Sequence, residues 1–183
     1  MKGDFMRKNV ADYILKVEGG FVDNPKDPGG RTKFGITAAT LASARARLKD
    51  AGLPEDVKDL TKEQALAIYE KFYWKPAGCD HIPRPVDLAV FDGCVNCGLR
   101  QGVKFLQEAL NMLGEDLAVD GIFGQKTMQA AWNHALPKTK ILSALLWRRT
   151  KYYNDIVARN PDRRAFLHGW LNRLARLWSC AVG

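Results

Sequence analysis

Val86-Asp87-Leu88-Ala89-Val90-Phe91-Asp92-Gly93-Cys94-Val95-Asn96-Cys97 is apolar on almost every side when wound at 3.6 residues per turn. A helix of that kind cannot lie on a surface. It predicts a central helix enclosed by others, entered after Pro83 and Pro85 and stopped at Gly98. Outward from it, the apolar spacing stays helical. Val103, Leu106 and Leu110 stripe a helix over Gln101–Leu113, ended by Gly114. A loop at Asp116–Gly124 then leads to helical patterns over Gln125–Ala135, Lys138–Ala158 and Pro161–Trp178. Toward the N-terminus, Thr61-x-x-Gln64 is a capping-box signature for a helix running to about Trp74, and Thr37–Lys49 is Ala-rich and helical. Met6, Val10, Tyr13, Ile14 and Val17 mark the face of a first helix that Gly19-Gly20 ends. Between the first two helices, Asn24-Pro25, Asp27-Pro28 and Gly29-Gly30 are turn signals, and extended or hairpin structure belongs there. The fold class is therefore all-α, with a short irregular or hairpin segment near residues 21–37.

The chain has 183 residues, 46% of them hydrophobic and 26% charged, enough for one domain or two small lobes without covalent staples. Its net charge of +8 attracts polyanions, whether nucleic acid, acidic lipid or an anionic wall, and does not choose among them. The closest basic clusters, Trp147-Arg148-Arg149-Thr150-Lys151 and Arg159 to Arg164, fall within helical patterns and read as solvated helix faces. The sequence contains neither a Gly-rich phosphate loop nor a zinc-finger spacing, so a nucleic-acid partner is not expected. No uninterrupted apolar stretch is long enough to cross a bilayer, and stable membrane insertion is not expected. Met1 to Lys8 lacks the apolar core of a secretory signal, which predicts synthesis in the cytoplasm and release by another agent if the substrate lies outside.

Cys94-Val95-Asn96-Cys97 is formally a C-x-x-C. Zinc would need two more ligands at fitting spacing, and His81, His134 and His168 are scattered. A redox pair would want a βαβ setting, which this helical region does not offer. Cys79, Cys94, Cys97 and Cys180 are expected to be buried free thiols, with no metal and no cofactor.

Glu18 follows Ile14 by four residues, on the edge of the first helix's apolar stripe. It also occupies the last turn, where the helix dipole is negative. Apolar neighbours and that dipole both disfavour a carboxylate. A carboxyl kept protonated can give its proton to a leaving oxygen, as glycosidic cleavage requires. The residues alone leave a second possibility, an ordinary surface Glu at a helix end.

The stretch around Glu18 resembles the glycoside hydrolase family 108 muramidases, a group of phage-type endolysins and related bacterial wall hydrolases. Their signature matches Glu18-Gly19-Gly20, Asn24-Pro25, Asp27-Pro28-Gly29-Gly30-Arg31-Thr32 and Gly35-Ile36-Thr37, without a gap. The resemblance implies that Glu18 is the catalytic acid. Phage lysozymes of another family show a similar order of Glu, Asp and Thr, which Glu18, Asp27 and Thr32 match, and Asp27 and Thr32 become candidates for placing the attacking water. Asp23, Gly29 and Gly30 are candidates for substrate contact. Turn chemistry alone also accounts for Asp27, the glycines and Thr32.

Phe91-Asp92-Gly93-Cys94-Val95-Asn96-Cys97-Gly98 resembles the same family's Phe-Asp-x-x-Val-Asn-x-Gly. Asp92 and Asn96, four apart, would line the sugar groove or form a satisfied internal network. Leu117-Ala118-Val119-Asp120-Gly121-Ile122-Phe123-Gly124 resembles a loop of peptidoglycan-binding modules and makes Asp120 a binding candidate. Gly169-Trp170-Leu171-Asn172-Arg173 resembles the family's C-terminal motif, with Trp170 either in the core or stacked on sugar. The resemblance implies a lysozyme-like fold of two packed helical lobes, a catalytic one over residues 5–96 and a peptidoglycan-binding one over 97–181. It implies a monomeric N-acetylmuramidase acting on glycan strands in the periplasm or on the wall, reached through a holin or a secretion pathway. A lytic transglycosylase, a non-catalytic wall-binding protein and, last, a basic nucleic-acid binder are the rival readings.

Overall fold

The computed structural model describes residues 8–21, 30–48 and 52–182. The chain divides into two compact units, Met1–Phe72 and Tyr73–Gly183.

In the first unit, α1 (Lys8–Glu18) buries Val10, Tyr13 and Ile14, the face that the sequence spacing marks. Strands β1 (Thr32–Lys33) and β2 (Ile36–Thr37) form an antiparallel hairpin with Thr32 opposite Thr37 and Lys33 opposite Ile36. Its two turn residues, Phe34 and Gly35, both have positive φ, 51° and 73°. That is the handedness of the tight turns that match strand twist. Thr37 then caps α2 (Ala38–Arg47), its hydroxyl accepting from the Thr40 amide at 3.0 Å. The capping box of α3 (Lys62–Tyr69) forms in both directions: Thr61 N–H donates to Gln64 Oε1 at 2.9 Å, and Gln64 N–H donates to Thr61 Oγ1 at 3.2 Å. The sequence carries this helix as one pattern to Trp74. The structure ends the α-helical part at Tyr69 and continues it as a wider π-helical turn, Glu70–Trp74, just ahead of the Lys75-Pro76 step. A residue before proline disfavours α geometry, so an unaltered helix could not continue beyond this point.

The second unit is built around α4 (Val86–Cys97), whose first nine residues are all buried. The sequence places both ends of this helix correctly. It is followed by α5 (Leu99–Met112), α6 (Gln125–Ala131), α7 (Lys138–Arg159) and α8 (Arg164–Val182). The closest packing in the unit is α4 on α5, with α7 packed on both. Gly102 makes it possible: a Cβ there would overlap Cys94, meeting its backbone N at 2.5 Å and its Sγ nearer still. At the head of the unit, the buried Trp74 stands edge-on to Phe91 at 5.5 Å and donates its indole N–H to Asp80 at 2.6 Å. The α6 helix stops at Ala131, four residues short of the sequence expectation. Lys138 Nζ donates to the Ala131 and Asn133 carbonyls, and Asn133 Oδ1 accepts from the Ala135 amide, so side chains take over bonds that a longer helix would make.

Two sequence expectations are corrected here. Arg149 is not on a solvated face; it is fully buried. Cys180 is exposed and Cys97 only partly buried, whereas Cys79 and Cys94 are in the core; all four are free.

Candidate active site and wall-binding unit

Glu18 is the last residue of α1 and is partly buried. Gly19 follows with φ 77°, its N–H donating back to Leu15 O at 3.3 Å. The hairpin turn lies directly against the Glu18 side chain. A Cβ built on Gly35 would meet Glu18 Oε2 at 2.5 Å, Tyr69 Oη at 2.6 Å and Glu18 Cβ at 2.8 Å. Only glycine allows that approach, and its positive φ independently requires it. Carboxyl and phenol therefore converge on one point above the turn. Tyr69 Oη donates to Phe34 O at 2.7 Å, tying the left-handed Phe34 to α3.

The base of the hairpin is fastened too. Arg31 Nη1 pairs with Asp56 Oδ2 at 3.0 Å, and Lys33 Nζ donates to Lys58 O at 2.5 Å. The Lys58 backbone N–H, which Asp56 accepts at 3.0 Å, holds the Asp56 carboxyl below its ordinary value against a smaller burial effect, with Arg31 and Lys58 adding charge. Phe21 is exposed, with the Arg31 guanidinium 5.7 Å from its ring.

Of the catalytic candidates, Glu18 and Thr32 are thus on adjoining pieces of the first unit, and Thr32 sits in the hairpin ladder opposite Thr37. Gly30 precedes the hairpin at φ 65°, and among the described residues nothing lies within 4 Å of where its Cβ would stand. Asp23, Asp27 and Gly29 lie outside the described residues. Tyr69 is the residue that sequence reasoning misses. Nothing in its local pattern sets it apart from the buried Ala65 and Ile68 of the same helix.

The remaining candidates belong to the second unit. Asp92 is completely enclosed and offers no surface to a ligand. Its Oδ2 accepts from Arg149 Nη1 at 2.7 Å and its Oδ1 from Arg173 Nε at 2.9 Å, linking α4 to α7 and α8. Burial works to raise this carboxyl, and the two guanidiniums outweigh it, leaving it below the ordinary value. Asn96 is exposed and accepts from Tyr153 Oη at 2.7 Å; Tyr153 in turn accepts from Arg149 at 2.9 Å. Burial raises the Tyr153 phenol and pushes the Cys94 thiol up to about 12, so both stay neutral at physiological pH. Trp170 is partly buried and stacks on Tyr153 at 5.1 Å.

Asp120 faces its own loop. Its Oδ1 accepts from Gln107 Nε2 at 2.9 Å and from the Ile122 amide at 2.8 Å, while Gln107 Oε1 accepts from Gly121 N–H at 2.9 Å. The Gln107 amide holds the loop as a fixed shape at the foot of α6.

Residues 11–98 match the model described as glycosyl hydrolase 108, and residues 101–175 match one described as a predicted peptidoglycan domain. A solved structure of SagA from Brucella abortus is 34% identical, over 93% of this chain and 90% of that one, with a TM-score of 0.74. The chain belongs to the glycosyl hydrolase 108 family. No curated protein among those compared matches it. As a glycosyl hydrolase 108 protein it is a glycosidase, and the peptidoglycan domain makes it a peptidoglycan hydrolase. Its mostly helical, lysozyme-like architecture is the one that the sequence predicts. The family's first model reaches through α4, which in space belongs with the second compact unit.

Proposed function

We propose that the chain is an N-acetylmuramidase, hydrolysing the β-1,4 bond between N-acetylmuramic acid and N-acetylglucosamine, with Glu18 as general acid. The observation that carries this reading is the seat of Glu18. Its carboxyl stands at a helix end, partly buried and flanked by the Gly35 turn and the Tyr69 hydroxyl. A carboxyl fixed by its surroundings can meet the leaving oxygen in one geometry. Glu18 protonates that oxygen as the bond to the anomeric carbon breaks, and a water attacks the same carbon. Asp27, Asp23 or Thr32 orients that water, and backbone near Gly29 and Gly30 approaches the sugar closely. No metal or cofactor enters the reaction.

The second unit holds the glycosidase on its polymer. The +8 charge draws the protein to an anionic wall, in the periplasm or on the cell surface, after release through a holin or a secretion pathway; it works as a monomer. Among the described residues no helix is long and apolar enough to cross a membrane.

Digestion of purified peptidoglycan followed by mass spectrometry tests the reading. Products ending in a reducing N-acetylmuramic acid are expected. A 1,6-anhydro terminus would make the chain a lytic transglycosylase, and undigested sacculi with bound protein would make it a wall-binding protein. For the water, Asp27→Asn is expected to cut turnover strongly and remove the acidic limb of the pH profile. A nearly active variant that keeps that limb would move the role to Asp23 or Thr32.

A further inference from the structure

The second unit carries an open cleft of about 410 Å³ between the loop after α5 and the outer face of α6, lined by Glu115, Asp116, Leu117, Lys126, Gln129 and Asn133. The volume is in the range of small-ligand sites. Both walls are fixed. On the loop side, the Asn111 side chain clasps Leu117 twice, donating to its carbonyl and accepting from its amide, each at 2.8 Å. Glu115 N–H donates to Leu110 O at 3.2 Å. On the helix side, Lys126 and Gln129 are three apart on one face of α6, and Asn133 follows just beyond the helix end.

The charges of this cleft are unusual for so basic a chain. Two carboxylates face one ammonium, so the cleft is negative by one charge. These groups are not spent on one another. Lys126 makes no ion pair among the described residues, and Asp116 makes none either. Glu115 commits only Oε1, which accepts from Asn133 Nδ2 at 2.7 Å. Unpaired charges of both signs, with the Gln129 amide beside them in the lining, suit a ligand that itself carries an ammonium and a carboxylate. They do not suit a neutral N-acetyl sugar. The lining also lacks an aromatic ring to stack on a sugar face. A bare metal cation is disfavoured by the lysine.

We infer that this cleft binds the peptide stem of peptidoglycan, with Glu115 and Asp116 taking the ammonium of a diamino acid and Lys126 taking the carboxylate on the same residue. The inference rests on the peptidoglycan reading above and adds to it: the glycosidase unit reads the sugar and the second unit reads the peptide. Enzyme held at strands that carry uncross-linked stems, whose ammonium is free, would favour them over bare glycan.

The probe is the tripeptide L-alanyl-γ-D-glutamyl-meso-diaminopimelic acid, titrated into the full chain by calorimetry, with amide shifts followed by NMR. Saturable binding is expected, with shifts at Glu115, Lys126 and Gln129. Glu115→Gln and Lys126→Met are expected to weaken it at least about tenfold each, the scale of one charge-assisted hydrogen bond. The lysine analogue lacks the second carboxylate; it should bind the wild type more weakly and be indifferent to Lys126→Met. No saturable binding, or binding that neither substitution moves, overturns the inference. Hydrolysis of peptide-free glycan by the wild-type chain is scored separately. If the tripeptide binds as described and no glycan is cut, the muramidase reading fails and the cleft stands.

Discussion

Glu18 and Asp92 are both acidic residues on helices with a buried apolar face, and their surroundings differ in every other respect. Glu18 ends its helix, stays partly exposed, and faces a glycine turn and a phenol. Asp92 lies mid-helix, fully enclosed, with a guanidinium on each oxygen. A buried carboxylate clamped by two cations has its charge and position settled, and it has no proton to give. A carboxyl at a helix end beside a tight turn can be reached. Placement relative to the chain's own cations thus separates an architectural acid from the one that we propose does chemistry, although a sequence motif runs through both.

Exchanging the two roles by mutation gives the sharpest test. Glu18→Gln is expected to abolish nearly all turbidity clearance, about 10²–10⁴-fold for loss of a general acid, with the melting curve unchanged. Full clearance by a folded Glu18→Gln protein would remove Glu18 from the chemistry. Asp92→Ala is expected to do the reverse. It strands two arginines, one of them wholly buried, and should cost about 3–5 kcal/mol in urea unfolding while folded molecules keep their turnover. A wild-type midpoint for Asp92→Ala would mean that the network contributes little.

The same contrast appears in pH. The Asp92 carboxyl is lower in the folded chain than in the unfolded one, so the stability that it contributes is fully present above the unfolded value of about 3.9. That contribution is lost as pH falls below this value and through the folded one. The urea midpoint of the wild type should therefore drop below about pH 4, and Asp92→Asn should flatten that dependence. An unchanged acid slope in Asp92→Asn would assign the loss to other carboxylates.

Two smaller effects probe the seat of Glu18. Gly35→Ala adds a methyl where Glu18 and Tyr69 already converge and strains a φ of 73°, so it should cost about 1–3 kcal/mol and reduce turnover. Tyr69→Phe removes the bond to Phe34 O and the hydroxyl beside Glu18, and should cost about 1 kcal/mol or somewhat more, with a modest loss of rate. If Tyr69→Phe reduced turnover as much as Glu18→Gln, the phenol would have to be counted among the reacting groups.

How much of this could be read in advance depended on sequence distance. The Thr61 and Gln64 box was legible because its partners are three residues apart, and α4 because its composition alone demands enclosure. An irregular or hairpin segment near residues 21–37 was legible from turn residues at 24–30, but the hairpin's own turn, Phe34-Gly35, was not among them. The convergence of Glu18, Gly35 and Tyr69 was not, since the bond that fixes it spans 35 residues of unremarkable helix and loop. Asp92 plainly needed partners, but Arg149 and Arg173 lie 57 and 81 residues away. A pattern of basic residues in a helix cannot reveal that one of them points inward. The π-helical end of α3 was likewise invisible, because its side chains continue an α-helical spacing.

The loop between α5 and α6 has neither helix nor strand, yet its backbone is held by amide side chains rooted in α5. Gly121 N–H ends on Gln107 and Leu117 N–H on Asn111. Such amides can meet solvent deuterium only when the helix beneath them opens. Their exchange should therefore follow that of α5, so that within one exposed connection these two amides are expected to label long after their neighbours.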